Sequence, residues 1–331
     1  MPQAAEIARG TRIAYVVRVR PGSIVADRYE IISLLGRGGM GEVYRARHLT
    51  LGRELAMKVL RAGSSEFEAR FDREARALAR LDHPNCVRVV DYGRSQSHHF
   101  IAMELCAGET LGATLKTGPL SIVRALHITR GLLSALGHAH AHGILHRDVK
   151  PENVVLVGAR PVLIDFGLAV LEDDAATTGA GMCVGSPSYI APERLLGRGS
   201  DPRTDVYAVG VILYEMLAGT RPFAGDSPEQ TMHRALSRPP RPLRAVRRDV
   251  PRELEAIVRR ALAKEPARRY ATAEDMALAL ADVPVLEDIE RFALERVEEA
   301  STAAVVTFRS PPWWRRAWGW LRFGGWRWAR H

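Results

Sequence analysis

The chain has 331 residues, 47% hydrophobic and 26% charged, which is typical of a folded globular protein with one or two domains. Its three scattered cysteines share no Cys-x-x-Cys spacing, which argues against a disulfide framework or a zinc site and indicates a reducing compartment. The net charge is +9, but six arginines and no acidic residue follow Glu299, and 9 minus 6 leaves +3 for everything else. The main body is therefore expected to bind no specific nucleic acid.

The predicted elements fall into two parts. Residues 1–20 are predicted to form an N-terminal arm, and the chain up to about residue 106 predicts strands around one helix at residues 66–81. From about residue 119 the pattern is helical, interrupted by NVVLVGARPVLIDFG, which predicts two short strands around a glycine turn. Residues 283–300 predict an acidic helical linker, and residues 301–331 form a tail rich in tryptophan and arginine.

The sequence predicts neither a secretory signal peptide nor a membrane-spanning helix. The opening residues, MPQAAEIARG, lack the apolar core of a secretory signal peptide. No run of about 18 uncharged apolar residues predicts a membrane-spanning helix. We therefore expect a cytoplasmic protein without a transmembrane span.

A glycine-rich segment, LGRGGMGEVY, precedes the first clear strand pair. Its spacing fits the pattern G-x-G-x-x-G-x-V, with a further glycine inside it: Gly36, Gly38, Gly39, Gly41 and Val43. Glu42 stands where a P-loop requires lysine, and a strand follows where a dinucleotide-binding fold requires a helix. The segment predicts a flap whose backbone amides cover nucleotide phosphates, with a simple hairpin tip as the alternative.

Two charged residues strengthen the nucleotide interpretation. In the alternating run ELAMKVL, Ala56 and Lys58 share one strand face, which suits a nucleotide wall carrying a phosphate-binding ammonium. Glu74 lies within the apolar stripe of the predicted helix, where a lone charge would be costly. We predict that Glu74 pairs with Lys58; a solvated lysine and an arginine partner for Glu74 are the alternatives.

The segments HRDVKPENVVL and IDFG carry the most specific pattern. Asp148 in the first segment suits acceptance of a hydroxyl proton. Asn153, five residues later, and Asp165 supply oxygen ligands of the kind that Mg²⁺ prefers. Each residue alone could be a cap or a turn residue, but their order and spacing together predict phosphoryl transfer.

These motifs resemble those of the eukaryotic-like Ser/Thr protein kinases of bacteria, over about residues 21–282. Further matching segments are VGSPSYIAPE, TDVYAVG and KEPARRYATAEDM, with GSP where the family usually has Gly-Thr-Pro. The resemblance implies an α+β, bilobal fold. A small antiparallel-sheet N-lobe with one key helix would occupy about residues 21–106, and a larger helical C-lobe about residues 107–282.

The resemblance also implies the cofactors, ATP and Mg²⁺, and a role for each matching residue. The catalytic residues would be Asp148, Lys150, Lys58 and Glu74, with Asn153 and Asp165 as magnesium ligands. The ATP site would comprise Gly36, Gly38, Gly39, Gly41, Val43, Ala56, Lys58, Met103, Glu104, Cys106 and Val155. Cys106 is then a small apolar residue of the segment that binds adenine through its backbone, not a redox centre.

Several supporting residues follow from the same resemblance. Asp205 would anchor the catalytic loop, and Arg269 would pair with Glu193. An apolar stack would contain Leu78, Val89, His146 and Phe166, so His146 is predicted to pack and not to act as a base; the other histidines receive no role. Arg147 predicts regulation by a phosphate on the activation loop, at Thr177 or Thr178.

The predicted function is transfer of the γ-phosphate of ATP to Ser or Thr of protein substrates. A pseudokinase scaffold and a small-molecule phosphotransferase are the alternatives, although the intact catalytic set and the protein-kinase motifs disfavour them. All six tryptophans lie between residues 313 and 328. Residues 311–331 therefore predict peripheral binding at the inner face of the membrane or protein docking, with self-packing or disorder as alternatives.

Overall fold

The computed structural model describes residues 19–37, 41–60, 72, 75–95, 98–166 and 187–283. In these residues a sheet-rich N-terminal part precedes a helical part, as the predicted bilobal protein-kinase fold requires. Most of the predicted arm, the acidic linker from residue 284 and the tail lie outside the described residues. Of the predicted helix at 66–81, residues 72 and 75–81 are described; residues 72 and 75–78 are helical, and residues 79–81 are not, so the helix ends three residues earlier than predicted.

Six antiparallel strands form the upper sheet, in the order β1-β2-β3-β4-β6-β5. The strands are β1 (Ile24–Val25), β2 (Tyr29–Arg37), β3 (Gly41–His48), β4 (Glu54–Leu60), β5 (Val89–Ser95) and β6 (His98–Glu104). In β4 the alternation read from the sequence is confirmed, because Leu55, Met57 and Val59 are buried while Ala56 and Lys58 are half-buried on the other face. This alternation sets which side chains face the cleft below the sheet.

The β2–β3 hairpin carries the glycine-rich segment. Its register is irregular between Leu34 and Gly36, and Gly36 then lies opposite Val43. A Cβ atom added to Gly41 would lie 2.2 Å from the carbonyl oxygen of Val59, so only glycine fits this close approach of β3 to β4. Gly36 has open space around its Cα, which leaves room above the cleft.

Helices dominate the second part of the chain. They are α1 (Leu111–Leu115), α2 (Ile122–Ala141), α3 (Pro192–Leu195), α4 (Pro202–Ala218), α5 (Pro228–Ser237), α6 (Arg252–Ala261) and α7 (Ala273–Ala281). Helix α4 is almost wholly buried, and an Asp201 capping box begins it while left-handed Gly219 ends it. Of the helices that the structure describes, none has the length and apolar character needed to span a membrane.

A small sheet lies between the two parts, in the order β7-β8-β9. Its strands are β7 (Glu109–Thr110), β8 (Val154–Val157) and β9 (Arg160–Leu163). The predicted glycine turn between β8 and β9 is confirmed, since Gly158 has a φ of 63°. Asn153 immediately precedes β8 and Asp165 follows β9 by two residues, so this hairpin brings their backbones together.

Candidate active site

The loop that carries Asp148 is closed by its own side chains. Lys150 Nζ lies 2.6 Å from Asp148 Oδ2, and Asn153 Nδ2 donates to the same oxygen at 3.1 Å. Asn153 Nδ2 also donates to the Asp148 carbonyl oxygen at 2.9 Å. The structure therefore brings three of the predicted site residues into one hydrogen-bonded group, with the Asp148 carboxylate at its centre.

Asp205, buried in the first turn of α4, anchors this loop by hydrogen bonds to its backbone. Its carboxylate accepts hydrogen bonds from the backbone N–H groups of His146 at 2.9 Å and Arg147 at 2.8 Å. A third contact, 2.8 Å long, joins it to His140 Nε2. Burial alone would raise the pKa of Asp205, but the hydrogen bond from His140 and the neighbouring histidines keep that pKa below its ordinary value. The predicted anchoring contact is confirmed.

The backbone of Arg147 is left-handed, with a φ of 63°. This conformation is unfavourable for a residue with a side chain and persists only where neighbouring contacts hold it. The Asp205 carboxylate supplies one such contact through the Arg147 N–H group. Because Arg147 directly precedes Asp148, the bend at Arg147 determines where the Asp148 carboxylate points.

His146 is a packing residue, as the sequence predicted. Its ring is fully buried, with the ring centroid 4.8 Å from that of Phe166. Burial lowers the pKa of His146, so the neutral imidazole is favoured. Its Nε2 lies 2.9 Å from the Ile164 carbonyl oxygen and its Nδ1 accepts from the Asp148 N–H at 3.3 Å. One neutral tautomer satisfies both bonds.

Lys58 extends from β4 into the cleft and contacts Asp165. Lys58 Nζ lies 2.9 Å from Asp165 Oδ1, and the two residues are 107 positions apart in the chain. The sequence interpretation paired Lys58 with Glu74, which lies outside the described residues, so that pairing stays a prediction. Among the described residues, Lys58 is in direct contact with Asp165, the predicted magnesium ligand.

The oxygen atoms near this pair suit a hard cation. The Ile164 N–H donates to the Asn153 carbonyl oxygen at 2.9 Å, which fixes the loop of Asn153 beside the segment that ends in Asp165. Since Asn153 Nδ2 is occupied by Asp148, the amide oxygen of Asn153 is the atom left for a metal. Asn153 and Asp165 supply oxygen ligands of the kind that Mg²⁺ takes, because this ion binds one or two protein oxygens and completes its shell with phosphate and water.

The residues predicted to bind adenine come from both parts of the chain. Ala56 on β4 lies opposite Met103 on β6, and Val43 lies opposite Lys58. Val155 is buried on β8, and Cys106 follows β6 in the connection between the two parts. Burial raises the pKa of the Cys106 thiol, which keeps it protonated and uncharged, as an apolar wall requires. The adenine site itself stays a prediction.

The predicted pairing of Arg269 with Glu193 is confirmed. Arg269 Nη1 donates to Glu193 Oε1 at 2.8 Å and Nη2 donates to Oε2 at 2.7 Å. The Thr204 hydroxyl adds a third bond to Glu193 at 3.0 Å. Burial would raise the pKa of Glu193, but the Arg269 guanidinium outweighs burial and keeps that pKa below its ordinary value.

Three features near the site were not found from the sequence. His140, which received no role, contacts Asp205, and Arg194 donates from Nη1 to the Arg147 carbonyl oxygen. The Tyr189 hydroxyl donates to Glu215 Oε2 at 2.5 Å. Each contact joins residues at least 26 positions apart, so no local spacing could have revealed it.

Some predicted residues cannot be compared with the structure. Those outside the described residues are Gly38, Gly39, Glu74, Thr177 and Thr178. Gly36, Gly41 and Glu104 lie on the strands given above, and Arg147 lies on the catalytic loop beside Asp148. Of the described part of the predicted set, Arg147, Asp148 and Lys150 line one cavity, and Lys58 contacts Asp165.

Comparison with known proteins agrees with this arrangement. Residues 29–279 match the family model described as protein kinase domain. The chain is 40% identical over 269 residues to the serine/threonine-protein kinase pkn3 of Myxococcus xanthus, covering 76% of this chain and 49% of that protein. It is 41% identical over 274 residues to the serine/threonine-protein kinase PknA of Mycobacterium tuberculosis, covering 80% of this chain and 63% of that protein.

Solved structures give a similar result. The crystal structure of the Mycobacterium tuberculosis PknI kinase domain aligns with a TM-score of 0.64 and 33% identity, covering 80% of this chain and 99% of that one. The chain spans about half to two thirds of the length of the two curated relatives named above.

Proposed function

The chain belongs to the protein kinase family, and from this premise we propose that it transfers the γ-phosphate of ATP to serine or threonine hydroxyls of proteins. The observation that carries the proposal is the closed group of Asp148, Lys150 and Asn153 on a loop anchored by Asp205. Such a group places a carboxylate, an ammonium and an amide oxygen within reach of one transferred phosphate.

Each side chain has a defined task in this reaction. Asp148 accepts the proton of the substrate hydroxyl, and Lys150, 2.6 Å from its carboxylate, lies beside the phosphate during transfer. Lys58 orients the phosphates, and Asn153 and Asp165 would hold Mg²⁺. When bound, Mg²⁺ neutralises the charge that develops on the phosphoryl oxygens. The catalytic effect of the protein is positioning and electrostatic stabilisation.

The relatives support serine and threonine as acceptors, because those named above are serine/threonine-protein kinases. Lys150, within DVKPEN, also matches the Ser/Thr class. No described residue favours a scaffold without catalytic activity. A cytoplasmic location is part of the proposal, because ATP, the proposed phosphate donor, is available there.

A phosphoryl-transfer assay tests the proposal. Radiolabelled ATP, Mg²⁺ and a generic protein substrate should give labelled phosphoserine or phosphothreonine with the full chain, and the label should disappear with EDTA. Asp148→Asn should remove most of the activity, while Asp226→Asn, an exposed aspartate outside the site, serves as the matched control. Absence of transfer by the unmodified chain under all substrates tried, or full activity of Asp148→Asn, would contradict the proposal.

We also propose that the kinase is activated by autophosphorylation at Thr177 or Thr178. The support is Arg147, a cationic residue that directly precedes Asp148 in the chain and lines the same cavity. Mass spectrometry of the active protein should locate phosphate on one of the two threonines. Equal activity of the double variant Thr177→Ala/Thr178→Ala would reject this form of regulation.

The tail at residues 311–331 is proposed to bind the membrane surface. Its six tryptophans suit the membrane interface, and its five arginines, together with Arg309 just before it, suit anionic lipid, at about 1 kcal/mol each before screening. Binding would be reversible and would not involve insertion. The full chain should sediment with anionic liposomes at low salt, and a chain ending at Ala300 should not. Equal behaviour of the two chains would remove the membrane anchor and leave a protein partner or self-packing.

A further inference from the structure

Arg194, on helix α3, contacts the catalytic loop, which carries Asp148. Its Nη1 donates to the carbonyl oxygen of Arg147, and the side chain lines the cavity shared by Asp148 and Lys150. We propose that Arg194 is a positioning residue, which fixes the peptide between Arg147 and Asp148 and thereby orients the Asp148 carboxylate. The proposal deepens the proposed kinase function and rests on it.

This peptide needs support on both sides. Arg147 is left-handed, and its N–H group donates to Asp205 Oδ1 at 2.8 Å. That bond fixes the peptide before Arg147. The next peptide, which leads into Asp148, is held on its N–H side, where the Asp148 N–H donates to the His146 carbonyl oxygen at 2.9 Å and to His146 Nδ1 at 3.3 Å. Neither bond engages the carbonyl side of this peptide. The guanidinium of Arg194 restrains this second peptide through its carbonyl oxygen. A hydrogen bond from a charged donor is stronger and more directional than one from a neutral donor.

The backbone of Arg194 is held in place by hydrogen bonds of its helix. Arg194 lies on the short helix α3, and its backbone N–H donates to the Ala191 carbonyl oxygen at 3.0 Å. The preceding residue, Glu193, is held by two bonds from buried Arg269 and one from Thr204. Hydrogen bonds therefore connect Arg269 in the helical core with Glu193, and Arg194, the next residue, with the peptide between Arg147 and Asp148.

The connection makes different predictions for different substitutions. Arg194→Ala removes the donor, whereas Arg194→Lys keeps a positive charge that can reach a carbonyl but lacks the planar guanidinium. Arg198, four residues further along, is exposed and has the same charge, so Arg198→Ala is the matched control. Neither Arg194 variant removes a group that touches ATP.

Steady-state kinetics of the full chain with Mg²⁺, ATP and a serine-containing protein substrate test the proposal. Arg194→Ala should lower kcat between about 10- and 100-fold, because displacement of a catalytic group by about 1 Å has effects of this size. The KM for ATP should stay within about twofold, and Arg194→Lys should recover part of the loss. Arg198→Ala should match the unmodified chain.

Hydrogen exchange measured on the same proteins gives a readout that does not depend on activity. Amides of residues 146–149 should exchange faster in Arg194→Ala than in the unmodified chain and Arg198→Ala. An unchanged kcat in an active enzyme, or a lower melting temperature with kcat per folded molecule unchanged, would overturn the proposal. If the unmodified chain transfers no phosphate, the proposed function fails, and exchange alone decides on Arg194: faster exchange supports the positioning role and unchanged exchange overturns it.

Discussion

Two ion pairs, one in the helical core and one in the cleft, have similar lengths and different surroundings. Arg269 and Glu193 meet at 2.7 Å with side-chain exposures of 0% and 10%, while Lys58 and Asp165 meet at 2.9 Å with exposures of 12% and 31%. Arg269 makes three further bonds, to the carbonyl oxygens of Ala263, Arg203 and Lys264, so all five of its N–H groups are used.

The Lys58–Asp165 pair in the cleft uses fewer of its hydrogen-bonding groups. Among the residues that the structure describes, Lys58 has Asp165 as its one hydrogen-bond partner, although an ammonium can donate three bonds. A fully satisfied buried pair fixes one arrangement of the chain, whereas a pair with remaining donors and acceptors can bind phosphate and metal. Under the proposed function, the first pair serves stability and the second serves the reaction.

The largest effect on stability is expected when the core pair loses its arginine. Arg269→Met leaves the Glu193 carboxylate buried without a partner and should lower the free energy of unfolding by about 3–5 kcal/mol. Urea denaturation of the full chain measures this loss. The double variant Arg269→Met/Glu193→Leu should recover much of it, because no uncompensated charge remains. A loss below about 1 kcal/mol for the single variant would contradict the comparison.

The cleft pair should show the opposite balance. Lys58→Met should reduce kcat/KM by about 10²–10³-fold, the range seen when one preorganised electrostatic contact to a developing charge is removed. Its free energy of unfolding should change by less than about 1 kcal/mol, because the pair is partly solvated. Both quantities should be measured on the same preparation. A large loss of stability would show that Lys58, like Arg269, mainly stabilises the fold.

A smaller effect is expected in the pH dependence of the free energy of unfolding. The pKa of Glu193 is lower in the folded chain than its ordinary value of 4.5, so the unfolded chain binds more protons as the pH falls. The contribution of Glu193 is present above about pH 4.5 and is lost as the pH falls through the folded pKa. The slope of unfolding free energy against pH below this point should therefore be shallower in Arg269→Met/Glu193→Leu. An identical slope in both proteins would show that the pair does not couple to protons.

The smallest effect is expected next to the core pair. Arg268 forms an exposed pair with Glu265 at 2.9 Å, with side-chain exposures of 73% and 65%. Arg268→Ala should change the free energy of unfolding by no more than about 0.5 kcal/mol, because such surface pairs gain little over hydration. Arg268→Ala is therefore a control for the removal of any arginine. A large loss of stability in this variant would contradict the view that burial makes the Arg269–Glu193 pair important.

Local patterns predicted the elements of the cleft well. The alternation in ELAMKVL assigned the buried face of β4 correctly, because side chains alternate along a strand whatever lies around it. The glycine turn between β8 and β9 was equally local. The Glu193–Arg269 contact, by contrast, joins residues 76 positions apart and was predicted only through resemblance to a family.

Contacts without such a resemblance were missed. Nothing near His140 in the sequence indicates Asp205, since a histidine on a helix has many possible neighbours. Arg194 is one of many arginines, and its bond to a backbone oxygen depends on the tertiary fold. The Lys58–Asp165 contact was missed because Glu74 offered a plausible partner nearer in the chain. Long-range partners are set by packing, which short motifs do not encode.

The separation of Glu193 and Arg269 also has a consequence for synthesis. The ribosome adds roughly 5–20 residues per second, so Arg269 is made about 4–15 s after Glu193, from which it is 76 positions distant. Asp148 and its loop are made earlier still. During this interval the nascent chain contains every catalytic residue but not the arginine that fixes helix α3. The structure thus delays the finished active site until nearly the whole domain has been translated.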